Sequence, residues 1–123
     1  MRTAEIIPAT EDHFSRYYHG MQVTGRWVGR AMVKGRLVAG FGGLIETGEG
    51  EWLAFFEVPA HERKPTLLRH ILAAFNEAKE QGAKVIKATC DTSIPRAEAL
   101  MKHLGFEKTE EEHEGRTIWY VRL

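Results

Sequence analysis

His61 and Glu62 form the opening pair of H-E-x-x-H, a pattern that offers two imidazoles to one zinc ion from a single helical face. The completing histidine would stand at position 65, where Pro65 has no ligating side chain and also breaks a helix. The spacing predicts no zinc site, and no other His, Asp and Glu spacing suggests a metal. Arg63 and Lys64 follow, and both suit a phosphate: a guanidinium offers two parallel hydrogen bonds, an ammonium a point charge. The same two residues equally fit a solvated helix entry held by local ion pairs. Ala39-Gly40-Phe41-Gly42-Gly43 has the glycine content of a nucleotide loop. It lies inside a strand pattern rather than between a strand and a helix, so it predicts a bulge or close packing. Glu110-Glu111-Glu112-His113-Glu114 offers negative charge to a cationic ligand, although runs of this kind are commonly solvated hairpin tips.

The chain that must position these groups has 123 residues, the size of one ordinary domain. It carries 17 Lys and Arg against 17 Asp and Glu, so it lacks the cationic excess of a general polyanion binder, and nucleic acid is not an expected partner. With 43% hydrophobic and 28% charged residues it reads as a folded globular chain. No apolar run approaches the roughly 20 residues of a bilayer-spanning helix, so no membrane association is expected. Cys90 is the only cysteine, which excludes an internal disulfide and a cysteine-based zinc cluster. Met1-Arg2-Thr3-Ala4-Glu5 lacks the apolar stretch of a secretory signal, and a cytoplasmic, reducing location is the simplest expectation.

Glu5-Ile6-Ile7, closed by Pro8, predicts a short strand, and Thr10-Glu11-Asp12 a capped helix start running through Phe14, Tyr17 and Tyr18 and stopping near Gly20. Strands follow from Trp27 to Val33, from Leu37 to about Ile45 and from Trp52 to Val58, separated by turns at Lys34-Gly35-Arg36 and Thr47 to Gly50. The third of these is apolar on both faces and should be central. Leu67, Leu68, Ile71, Leu72, Phe75 and Ala78 fall on one helical face between Thr66 and Gln81, with Gly82 as the stop. Val85 to Cys90 predicts a buried strand. Pro95, capped by Thr92 or Ser93, opens a second helix whose buried stripe is Ala97, Leu100, Met101 and Leu104. Phe106 to Leu123 predicts a hairpin turning at Glu114-Gly115. The order is β-α-β-β-β-α-β-α-β-β: an α/β (α+β) fold with a mixed, mostly antiparallel central sheet flanked by helices, in one domain spanning 1–123.

This order and several strings resemble the GNAT superfamily of N-acetyltransferases over nearly the whole chain. The strings are Ile6 to Asp12, Val38-Ala39-Gly40, Glu57-Val58-Pro59 and, best, Ala97-Glu98-Ala99-Leu100-Met101-Lys102-His103-Leu104-Gly105-Phe106. The last matches the family's A-x-x-x-Y-x-x-x-G-F segment except at Met101. The cofactor loop, Q/R-x-x-G-x-G/A in the family, is Pro59 to Leu67 here and contains no glycine. With these two departures the chain resembles a divergent member, similar to short phage-encoded GNAT-like proteins.

The resemblance implies acetyl-CoA as the cofactor and a small-molecule or peptide amine as acceptor, with a homodimer as the possible assembly. Main-chain amides at Val58, Thr66 and Leu67, with charge from Arg63 and Lys64, would bind the cofactor, since free N–H groups at a helix start favour a diphosphate. The amine must lose a proton before it attacks the thioester, and Glu57, ending the fourth strand beside the cofactor loop, is the candidate base. It also fits a plain surface carboxylate. Met101 cannot donate a proton where many members carry a tyrosine. Cys90, His103, Tyr120 and bulk water are the substitutes, and Tyr120 is the assigned acid. The alternative is a catalytically degenerate domain of the same fold, a binding or phage virion-assembly protein.

Overall fold

The computed structural model describes residues 4–20, 25–57, 67–90 and 96–123. Seven strands form one sheet: β1 (Glu5–Pro8), β2 (Trp27–Lys34), β3 (Leu37–Gly48), β4 (Glu51–Glu57), β5 (Val85–Thr89), β6 (Glu107–His113) and β7 (Arg116–Arg122). Three helices accompany them: α1 (Glu11–Tyr17), α2 (Leu67–Glu80) and α3 (Ala97–His103). The spatial order β1-β2-β3-β4-β5-β7-β6 puts β4 in the middle, as its two apolar faces require. Every pairing is antiparallel except β4 with β5.

Two cores sandwich the sheet. On one face α1 lays Phe14 onto Ala31 and Phe41, with Tyr17, Tyr18, Trp27 and Phe55 packed around them. On the other, Ala74 and Ala78 of α2 sit on a cluster that includes Leu44, Trp52, Ile86, Cys90, Phe106 and Trp119. Thr10 caps α1: its Oγ1 accepts from the His13 amide at 3.2 Å, and His13 Nδ1 accepts from the Thr10 amide at 3.1 Å. Gly43 allows β2 to lie close, because a Cβ there would overlap the Val28 carbonyl oxygen. That is the close packing expected of the glycine run.

Two helical expectations need correction. Leu72 is 45% exposed, because α2 turns its small residues Ala74 and Ala78 inward and approaches the sheet closely there. The α3 stripe is only partly buried: Ala97, Met101 and Leu104 pack against the core at intermediate exposure, while Leu100, at the edge of a cavity, is 36% exposed. α3 also begins at Ala97, behind Arg96 in a left-handed conformation (φ 67°) with no side-chain cap. The expected caps Thr92 and Ser93, and Pro95, lie outside the described residues.

Candidate active site

The single parallel pairing creates the site. β4 and β5 are in register from Glu51↔Val85 to Ala54↔Ala88 and no further. Beyond that point β4 stays with β3 as far as Glu57↔Phe41, and β5 stays with β7 as far as Thr89↔Ile118. Each strand keeps its outer partner and loses its inner one, so the two diverge. Beyond Ala54 the inner edge of β4 is no longer paired with β5.

The opening leads into a cavity of about 840 Å³. Leu67, Ile71 and Phe75 of α2 line it, as do Ala97, Leu100 and Met101 of α3 with Leu104 just after that helix. Phe56, Cys90 and Phe106 also line it, so this wall is apolar and fits a thin, flexible, largely uncharged chain. Leu67, expected among the cofactor contacts, is the first residue of α2 and lines the cavity. The other expected contacts, Val58, Arg63, Lys64 and Thr66, lie outside the described residues, as does the His61-Glu62 pair.

Glu57 ends β4 and is exposed, with Phe41 opposite it on β3. Strand alternation therefore turns its side chain to the α1 face, opposite to Phe56. Two phenols from the end of α1 meet it. Tyr17 Oη donates to the Glu57 carbonyl at 3.2 Å. Tyr18 Oη is buried and has no hydrogen-bond partner of ordinary geometry among the described residues. Burial, then the Glu57 charge, then Tyr17 hold the Tyr18 phenol far above the usual tyrosine range; burial and Glu57 raise Tyr17 as well. Both phenols stay protonated throughout the physiological range and so are donors facing this carboxylate. The sequence placed them only along the course of the first helix; a pair of polar-tipped rings at a helix end was the available signal.

Tyr120 lies elsewhere. It pairs with Lys87 of β5, which pairs with Leu53 of β4, so it stands two strands and four residues away from Glu57. Its hydroxyl donates to Glu107 Oε2 at 2.8 Å, toward the outer strand β6, and that bond is the main reason its pKa is raised. Lys87 is held protonated by its hydrogen bond to Glu51, with Nζ to Oε1 at 3.0 Å, which removes it as a neutral base. Cys90 is buried, its amide donating to the Thr117 carbonyl at 3.3 Å, and His103 is exposed. Among the described residues no group of three potential metal ligands comes together. On the α2 face, Arg30 of β2 holds Glu77 through Nη2 to Oε1 at 2.6 Å and Nη1 to Oε2 at 3.1 Å, and His70 lies within reach of the Arg30 charge.

No protein-family model and no curated relative matches the chain. Solved structures match over nearly its full length. An acetyltransferase of the GNAT family from Staphylococcus aureus superposes with a TM-score of 0.74 at 11% identity, covering 98% of this chain and 99% of that one. The ribosomal-protein-S18-alanine N-acetyltransferase of Escherichia coli gives 0.67 at 16% identity, covering 98% and 94%. A Bacillus subtilis acetyltransferase, solved in complex with CoA, gives 0.65 at 16%, covering 98% and 99%. Similarity at this level defines a class of architecture: the chain has the GNAT acetyltransferase fold, with the strand and helix order expected from its sequence. These three matches are to bacterial proteins and give no support to the resemblance to phage-encoded ones.

Proposed function

We propose that the chain is an acetyl-CoA-dependent N-acetyltransferase that moves an acetyl group to a primary amine by direct attack. The observation that carries this reading is the divergence of β4 from β5 after Ala54↔Ala88, opening onto an apolar cavity between α2 and α3 with a carboxylate at its rim. The cavity fits the uncharged arm of the cofactor, with Leu67, Ile71 and Met101 as its contacts. Bound acetyl-CoA would supply an activated acetyl thioester. Main-chain amides of β4 beyond its last pairing with β5 polarise the acetyl carbonyl, and Glu57 takes the proton of the incoming amine, directly or through water. Arg63 and Lys64 supply charge for the phosphates. Much of the acceleration comes from holding amine and thioester in line, so the reaction proceeds without a side-chain acid at position 101. Tyr120 serves as acid only if its hydroxyl leaves Glu107; solvent is the simpler proton source.

The second reading, a non-catalytic binding module of the same fold, is favoured by Met101, which lines the cavity with a thioether that holds no proton. Incubation of the purified protein with acetyl-CoA and a mixture of primary amines and peptides, followed by mass spectrometry, separates the two. An acetylated amine that appears only with the protein supports transfer. No acetylated product from any amine, in a protein that binds the cofactor, supports the binding module.

A further inference from the structure

We infer that Tyr18 Oη is the hydrogen-bond donor that positions the Glu57 carboxylate at the rim of the β4–β5 opening, an inference whose catalytic meaning rests on the role proposed for Glu57 above. Tyr18 follows the last residue of α1, and its ring packs against Phe14, Phe41 and Phe55 with centroids 4.7, 5.7 and 6.1 Å away. Phe41 and Phe55 also line the cavity, so the phenol stands directly behind its wall. A buried hydroxyl normally finds an acceptor, since leaving it unpaired forfeits the hydrogen bond it made with water. This one has no acceptor in ordinary geometry among the described residues. Phe41 is the cross-strand partner of Glu57, and Phe55 precedes it by two residues on the same face of β4, so the ring packed on both stands beside Glu57, whose carboxylate is the acceptor within reach.

The two residues are complementary in what they lack. Glu57 is exposed and attached at a strand end, so its side chain has several rotamers open to it. Tyr18 is fixed by its ring contacts and cannot move to a partner. Pairing therefore requires the carboxylate to turn toward α1, where one Oε accepts from Tyr18 and the other remains free at the cavity mouth. Tyr17 acts on the backbone instead, binding the Glu57 carbonyl and holding the main chain while the side chain is left to its neighbour. Tyr18 is thus a positioning residue that acts through Glu57.

The test is NMR on protein carrying tyrosine labelled with carbon-13 at Cζ, with the Tyr18 signal identified by its loss in Tyr18→Phe. The sample is titrated from neutral pH through the carboxyl range, about pH 4. In the wild type the Tyr18 signal moves as the carboxylate is neutralised; in Glu57→Gln that transition is lost, and in Tyr17→Phe it remains. A Tyr18 signal flat through this range, or a transition that survives in Glu57→Gln, overturns the inference. The same samples are titrated with acetyl-CoA at neutral pH. A coupled pair in a protein that binds no acetyl-CoA upholds the pairing and defeats the transferase reading. A bound cofactor with a flat Tyr18 signal defeats the pairing alone.

Discussion

The hydroxyl of Tyr17 donates to the main-chain carbonyl of Glu57 at 3.2 Å, tying the last residue of α1 to the last residue of β4 across 40 positions of chain. The bond holds the end of β4, beyond its last pairing with β5 at Ala54↔Ala88. It joins the aromatic core on one face of the sheet to the rim of the cavity that opens toward the other, so the site depends on α1 as well as on the helices that line it.

Replacing Glu57 by Gln removes the base and leaves the volume unchanged. Turnover of an amine acceptor is expected to fall by about 100-fold, the usual contribution of a positioned proton acceptor. The dissociation constant for acetyl-CoA should stay at the wild-type value, because the carboxylate faces α1 rather than the apolar wall. Steady-state assays of thiol release, paired with binding isotherms, measure both.

Gly43→Ala places a methyl group against the Val28 carbonyl on the neighbouring strand, with the Gly29 Cα 2.9 Å away. Main chain cannot yield as a flexible side chain can, so the expected cost is about 1–3 kcal/mol of stability, read from the urea midpoint. A midpoint equal to that of the wild type would show that β2 and β3 are not held at this separation.

Removal of Glu77 leaves the Arg30 guanidinium, 13% exposed, without its carboxylate, whereas Glu77 itself is 44% exposed. Partial solvation of the carboxylate reduces the cost below that of a fully buried pair, to about 1–2 kcal/mol for Glu77→Ala. Arg30→Met, which removes the buried charge and fills part of the space, should cost less. Urea unfolding of the two variants gives the order.

How far the sequence reached is clear from these residues. Thr10, the doubly apolar β4 and the Glu114-Gly115 turn, where both residues take positive φ, are local signals, and each sits where it was expected. Tyr17 with Glu57 and Arg30 with Glu77 are pairs 40 and 47 residues apart, and no spacing rule links them. The exposure of Leu72 and Leu100 escaped for a related reason: helical periodicity gives a face, but the orientation of that face depends on how closely the small residues let the helix approach. The place where β4 parts from β5 depends on register, which is written into no single segment.

His70 supplies a pH test. Burial first, then Arg69 and Arg30, lower its pKa from the ordinary value near 6.5. In the unfolded chain the imidazole takes up a proton as pH falls below about 6.5, while in the folded protein it resists until lower pH. Its contribution to stability is therefore fully present above that value and is lost as pH falls through the folded-state pKa. The urea midpoint of the wild type should drop between about pH 7.5 and about pH 5.5 more steeply than that of His70→Asn. Parallel curves would contradict the assignment.

Calorimetric titration of the wild-type protein with acetyl-CoA tests the central claim most directly. The divergent strands and the apolar cavity predict saturable binding at one site per chain with a dissociation constant of roughly micromolar order, corresponding to about −8 kcal/mol. No heat of binding with the ligand at about millimolar concentration, where even a −4 kcal/mol interaction would register, would contradict it.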